Sequence, residues 1–247
     1  MASTGREVAA HHRYDFGVVP TQNRHCAKVL RMSLELDHVF ICTSRGAPEA
    51  RELLRFGLRE GSPNQHPGQG TASRRFAFKN AMLELLWVSS EKEARAEQTR
   101  RTLLWERWSG RHSAASPFGI CLRPADPQSS KTAFIGWEYR PSYLSSPLAM
   151  LIGEAELEEP MWVYLGFLTR AQRERQFVEH PVGIREITGL VLASSVPPRS
   201  AVSQEVTGAN VLAVRIGRKP LLEIEFDAGQ RRRVEDFRPH LPLLFRF

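Results

Sequence analysis

Two polar residues stand inside apolar stripes of this 247-residue chain: His38 within Leu34–Thr43 and Glu84 within Ala81–Val88. Both segments read as strands, and alternate side chains of a strand share a face. His38 therefore falls with Leu36, Phe40 and Cys42, and Glu84 with Met82, Leu86 and Val88. An ionised carboxylate in such a stripe loses several kcal/mol of hydration unless a cation or hydrogen-bond donors compensate. A bound metal ion would do so. A structural partner such as Arg74, Arg123 or a hydroxyl would do so equally, and the residues alone leave both open. For His38 by itself, the ordinary reading is a core histidine with its nitrogens satisfied.

Other side chains could shape a binding space around these two. His66 and His180 each precede a proline, in loops that could form the mouth of a cleft. Arg123 or Arg140 could grip a substrate carboxylate through the guanidinium fork. Trp162 shares a strand face with Tyr164, while Tyr139 lies with Trp137 and Tyr143 around Arg140. Clustered aromatics also serve as plain core or as a lid.

The elements that must carry these residues follow a recognisable order. After the first strand, Pro48 suits the opening turn of a helix over Glu49–Phe56, which Gly57 ends. Gly61–Gly70 reads as a loop, and Arg74–Phe78 and Ala81–Val88 as strands joined at Lys79-Asn80, giving β-α-β-β-β. A charged helical stretch, Glu91–Arg101, leads to strands at Phe118–Leu122 and Met161–Leu168. Residues 124–160, rich in Pro, Ser and aromatics, read as an insertion or cover. Residues 1–33 lack a sustained apolar period and read as a disordered tail or an over-extended start.

The chain also matches itself. Glu35–Ser44 aligns without gaps with Glu186–Ser195, and Met82–Trp87 with Leu221–Phe226, each pair bracketing a helix candidate and a further strand, Asn210–Ile216 in the second copy. Repetition of this kind implies two copies of one unit. The expected organisation is α+β: a first βαβββ module and following strand over 34–123, the insertion 124–160, and a strand plus second module over 161–247. In that alignment Glu223 matches Glu84, whereas Gly189 stands where His38 does, and Glu225 and Asp227 on the face of Glu223 also fit a solvated sheet edge.

The duplicated unit, with Leu36-Asp37-His38-Val39 opening the first copy and Leu83-Glu84-Leu85 closing it, resembles the vicinal oxygen chelate superfamily and its glyoxalase-like domains. The stretches His66-Pro67-Gly68-Gln69-Gly70-Thr71 and His180-Pro181-Val182-Gly183 are similar to that group too. The resemblance implies two fused modules curving into a half-open sheet whose concave face holds a divalent metal. It assigns His38, Glu84 and Glu223 as ligands, a set that suits Mn, Fe, Mg, Ni or Zn, with Glu223 also the candidate catalytic base. His66 or His180 would be a fourth ligand or part of the cleft. A metal holding adjacent oxygens of a substrate stabilises an enediolate, so the implied activity is lyase or isomerase chemistry on a small oxygenated molecule. Extradiol ring cleavage, which prefers two histidines and one carboxylate, would need a loop histidine to join. Metal-free members bind and sequester small molecules in the same concavity, and Gly189, which offers no ligand, fits that alternative. Convergence of His38, Glu84 and Glu223 within roughly 4 Å favours the enzyme; pairing of Glu84 with an arginine instead favours the binding protein.

Composition removes several other classes. The balance of 34 Lys+Arg against 27 Asp+Glu gives +7, but the arginines are interleaved with acids, as in Arg173-Glu174-Arg175. Nucleic acid calls for a basic stripe, so it is not an expected partner. No apolar run reaches the roughly 20 residues that span a bilayer. Cys26, Cys42 and Cys121 form no CxxC, which argues against a disulfide framework and fits a cytoplasmic, reducing setting. The expected partner is a small-molecule substrate, and the expected assembly a monomer or homodimer.

Overall fold

The computed structural model describes residues 34–126, 134–209 and 211–247. The proposed tail, 1–33, lies outside the described residues. The chain begins with β1 (Leu34–Cys42), α1 (Ala50–Phe56), β2 (Asn64–His66), β3 (Thr71–Ala77) and β4 (Met82–Val88). Three short helices, α2 (Glu91–Ala94), α3 (Glu97–Arg100) and α4 (Leu104–Ser109), lead to β5 (Phe118–Pro124), β6 (Gly136–Tyr139), β7 (Met150–Gly153) and β8 (Met161–Tyr164). After α5 (Arg170–Glu174) come β9 (Ile187–Ser194), α6 (Ala201–Gly208), β10 (Ala213–Ile216), β11 (Leu221–Phe226), β12 (Val234–Asp236) and β13 (Leu243–Arg246).

The early elements follow the sequence signals closely. Gly57 ends α1 in the left-handed region, φ 102°, while its amide donates to Leu54 O and that of Leu58 to Leu53 O. That pattern satisfies two carbonyls the helix end would otherwise leave bare. The Glu91–Arg101 stretch breaks into two turns because Ala96 adopts an extended ψ of 155° between them. The expected loop Gly61–Gly70 contains the short strand β2, antiparallel to β3.

Eight strands form one curled sheet in the order β2-β3-β4-β1-β5-β8-β7-β6. Its two halves repeat each other. β1 is parallel to β4, with β3 and β2 following antiparallel; β5 is parallel to β8, with β7 and β6 following antiparallel. β1 and β5 pair antiparallel at the centre. The fold is α+β with a half-barrel sheet of two fused modules, as expected, but the second module is built from β5–β8. The stretch 124–160 supplies two strands of that sheet, β6 and β7, where the sequence suggested an insertion.

The segment that aligns with the first module, 186–226, lies instead in a separate five-stranded sheet, β10-β9-β11-β13-β12. There β11 runs antiparallel to β9, whereas β4 runs parallel to β1. The likeness of the strings has a physical source. Val39, Ile41, Leu83 and Leu85 on the back of the half-barrel and Leu190, Leu192, Leu222 and Ile224 on the second sheet all enter one core. Strands facing the same core from two sides carry the same alternation of apolar and polar residues. α1 and α6 complete that layer through Leu53, Val202 and Val206. The opposite, concave face of the half-barrel remains for the site.

Candidate functional site

The concave face encloses a cavity of about 220 Å³. Phe40, Leu86, Met150, Met161, Val163 and Leu165 make its apolar body, and His38, His66, Glu84, Cys121, Tyr143 and Arg173 its polar part. β5 contributes Gly119 opposite Phe40, and a Cβ there would meet the Phe40 ring at 2.0 Å, so the glycine leaves the space this ring fills.

One side of the rim is a lap between the two modules. Tyr143 Oη donates to Gln69 Oε1 at 3.0 Å, Gln69 Nε2 donates to Thr71 Oγ1 at 2.8 Å, and Ser142 Oγ donates to Pro67 O at 2.9 Å. The Tyr143 ring stands 5.0 Å from that of His66. Gly68, at φ 78°, lets the two loops meet, since a Cβ would come within 2.3 Å of Ser142 Oγ. The other side of the rim is the segment through Leu165, Phe167, Leu168 and Arg173.

The polar centre is organised by a β-bulge. Leu36 pairs with Leu122 and His38 with Cys121, so β1 carries one extra residue, Asp37. A bulge re-aims side chains that strict alternation would send to opposite faces. Asp37 Oδ2 consequently lies 2.7 Å from Nδ1 of its own neighbour, His38. Asp37 is fully buried and also accepts from Arg173 Nε at 2.9 Å, from Arg173 Nη2, and from Arg123 Nη1 at 3.2 Å. Burial pushes the Asp37 carboxyl up, but the hydrogen bonds and charges of His38 and Arg173 outweigh it and hold the group well below the usual carboxylate range. With Nδ1 committed to Asp37, the His38 ring stands opposite Cys121, its partner across β1 and β5. Burial opposes a charged imidazole, yet Cys121, Asp37 and Glu84 together raise His38 well above its ordinary value.

Glu84 is the exception in this centre. It is 4% exposed and lines the cavity, and among the described residues its carboxylate takes part in no hydrogen bond or ion pair. Neither expected arginine reaches it. Arg74 pairs with Glu60, and Arg123 with Glu35 and Asp37. Arg75, its cross-strand partner, donates through Nε to Ser62 O. Glu84 feels the charges of His38 and Arg173 without touching either. Its oxygens open onto the cavity, so their hydrogen bonds must come from whatever fills it.

The remaining sequence candidates divide sharply. His66 and Tyr139 line the cavity with His38 and Glu84. His66 is occupied on both nitrogens, with Asn64 Nδ2 2.8 Å from Nε2 and Thr71 Oγ1 2.9 Å from Nδ1, and burial lowers its pKa. Glu223 sits on β11 in the other sheet, held by Arg215 and Arg246, so it does not converge with His38 and Glu84. Trp162 points into the core behind the sheet, its Nε1 donating to Ser203 Oγ at 2.8 Å. Arg123 is buried away from the cavity, with Nη2 on Glu35 and on Asn80 O, each at 2.9 Å. Arg140 is exposed and pairs with Glu138. His180 accepts the Arg59 amide at 3.0 Å and stacks its ring 4.8 Å from Phe78, clear of the cavity.

A family model described as a glyoxalase-like domain matches residues 36–206. The chain belongs to that family. The match runs through both modules of the half-barrel. Among solved structures, a hypothetical protein from Staphylococcus aureus is similar at 12% identity and a TM-score of 0.48, covering 86% of this chain and 98% of that one. A xylose isomerase-like TIM barrel/4-hydroxyphenylpyruvate dioxygenase fusion protein is similar at 12% identity and a TM-score of 0.43, over 79% of this chain but only 36% of its own. No curated protein matches.

The divalent metal that the family resemblance implies can be tested against the donors present. Among the described residues no group of three or more His, Cys, Asp or Glu is arranged to hold a metal ion. His38 is engaged at Asp37 through Nδ1, His66 on both nitrogens, and Glu223 is elsewhere. In the second module β8 presents Met161 and Val163 to the cavity, neither of which suits such an ion. The donor set does not fit, and no chemical step is derived through a metal.

Proposed function

We propose that the concavity is a metal-free binding site for a small, largely apolar molecule carrying a hydroxyl or similar donor. The observation that supports this is Glu84, an acceptor buried at 4% exposure with no donor of its own. A ligand hydroxyl directed at it would provide the missing bond while its apolar body rested against Met150, Met161, Val163 and Leu165. No helix among the described residues is long and apolar enough to cross a membrane. The lyase or isomerase form of the reading needs a third metal donor beside His38 and Glu84, and none is supplied.

Calorimetric titration with 4-methylphenol and with toluene tests the reading. A hydrogen bond to a charged acceptor is worth roughly 1.5–3 kcal/mol, so the phenol should bind at least about tenfold more tightly, and Glu84→Leu should abolish the difference. Equal affinities for the two probes would overturn the proposal. So would stoichiometric divalent metal in protein purified without added metal, lost on His38→Ala and on Glu84→Gln.

A further inference from the structure

Cys121 is the one nucleophilic side chain in the cavity that the binding reading does not use. It faces His38 directly across the β1/β5 pair, and both side chains line the cavity. Asp37 fixes the ring from behind, 2.7 Å from Nδ1, and is itself pinned by Arg123 and Arg173. A sulfur, an oriented imidazole and a carboxylate behind it form the arrangement by which a weak nucleophile is activated. Cys42 provides the contrast within the same molecule. It is also buried on the concave side of β1, but it does not line the cavity and has no imidazole partner. Burial raises both thiols, that of Cys42 to about 12, so what separates the two is the imidazole opposite Cys121 and its access to the cavity.

We propose that Cys121 is a nucleophile that adds reversibly to the carbonyl carbon of a small aldehyde bound in the cavity, with His38 relaying the proton. Cys121 Sγ forms a bond to the carbonyl carbon, and the π pair of the C=O moves onto its oxygen. The charged His38 ring gives a proton to that oxygen and takes the thiol proton in its place, leaving a hemithioacetal, R–CH(OH)–S–Cys121. Nothing is oxidised or reduced, and no further reactant is required. The choice of an aldehyde comes from Glu84. Addition converts a carbonyl, which is only an acceptor, into a hydroxyl, which donates, and the unpartnered Glu84 carboxylate, on β4 beyond β1 in the same sheet, is the acceptor the product needs. The inference thus rests on the binding reading and gives that site a substrate class.

The test uses the full chain carrying Cys26→Ser, so that Cys42 and Cys121 are the thiols that remain. Iodoacetamide treatment of the folded protein, resolved by peptide mass spectrometry, should label Cys121 at least about tenfold faster than Cys42. His38→Gln should remove most of that advantage. Benzaldehyde labelled with carbon-13 at the carbonyl should give a hemithioacetal resonance that disappears in Cys121→Ser. Labelling of Cys121 no faster than Cys42, or a resonance that survives in Cys121→Ser, would overturn the proposal. The 4-methylphenol titration, repeated on Cys121→Ser, separates the two readings. Unchanged phenol binding beside an unreactive Cys121 defeats the nucleophile alone, whereas failure of the parent protein to distinguish 4-methylphenol from toluene defeats the binding site.

Discussion

Glu84 and Glu223 occupy nearly the same string, Met82-Leu83-Glu84-Leu85 and Leu221-Leu222-Glu223-Ile224, and are buried to nearly the same degree, at 4% and 6% exposure. Their surroundings are opposite. On the outer face of the second sheet, Glu223 is clasped by Arg215 and Arg246, whose guanidinium groups remain about half exposed. On the concave face of the half-barrel, Glu84 has no such partner. The acid in the back sheet is balanced by its own neighbours, so its burial explains itself. The acid in the cavity is balanced only by something that enters from outside. Burial alone does not separate a structural carboxylate from a functional one; the separation lies in whether the fold supplies its donors.

The most severe disruption of this contrast comes at Asp37, which anchors the positive side of the cavity. Asp37→Asn leaves Arg123, 1% exposed, and Arg173, 10% exposed, without their shared carboxylate. Removing one partner from a buried ion pair costs about 3–5 kcal/mol. Urea unfolding should register a loss of that size. A loss under about 1 kcal/mol would mean that the arginines find other partners, and that Asp37 is not what holds the cavity's charge in place.

Equal substitutions at the two glutamates should then act with opposite sign. Glu84→Leu replaces an unpartnered polar group among Phe40, Met82 and Leu86 with an apolar one and should stabilise the protein by about 1–2 kcal/mol, at the expense of phenol binding. Glu223→Leu strips a partner from two arginines that can rehydrate, and should destabilise by about 1 kcal/mol or less while leaving phenol binding intact. Two changes of the same sign in urea midpoint would erase the distinction between the two sites.

Why the sequence conveyed one half of the site and not the other follows from what each residue depends on. His38 and Glu84 were visible because period-2 alternation sets a polar residue among apolar ones on a single strand. His66 was visible from its position before Pro67, in the stretch that leads into β3. Asp37 was hidden because alternation assigns it to the face opposite His38, and only the extra residue in β1 reverses that. Cys121 was hidden because its meaning depends on register across β1 and β5, a non-local quantity. Tyr143 stood out as one aromatic among several, but its place on the rim depends on the loop after β6 lapping over residues 66–71. The second module was misplaced for a related reason: β6 and β7 have only four residues each, too few for a clear pattern, while the longer β9 and β11 face the shared core and imitate β1 and β4. The two-module count came from a match with strands of the other sheet, so local pattern did not carry it. The identity of the second copy required knowing which strands pair.

The smallest expected effect concerns histidines on the two sides of the half-barrel. His38, on the cavity side, is held charged by Cys121, Asp37 and Glu84 against its burial, and its pKa is raised. His180, packed against Phe78 behind the sheet, is held neutral by burial, and its pKa is lowered. Both titrate near 6.5 in the unfolded chain. The His38 contribution is therefore complete below about pH 6.5 and is lost as pH rises from there through its raised value. The His180 contribution is complete above about pH 6.5 and is lost as pH falls from there towards its lowered value, with His66 acting in the same direction. Urea midpoints between about pH 5 and 9 should accordingly fall on both flanks, with a different histidine governing each. His180→Asn, which keeps an acceptor for the Arg59 amide, should flatten the acid flank alone, and His38→Gln the alkaline flank alone. If His38→Gln flattened the acid flank instead, the imidazole beside Cys121 would be neutral in the folded protein, and the cavity would lack the charged ring that sets it apart from the core behind it.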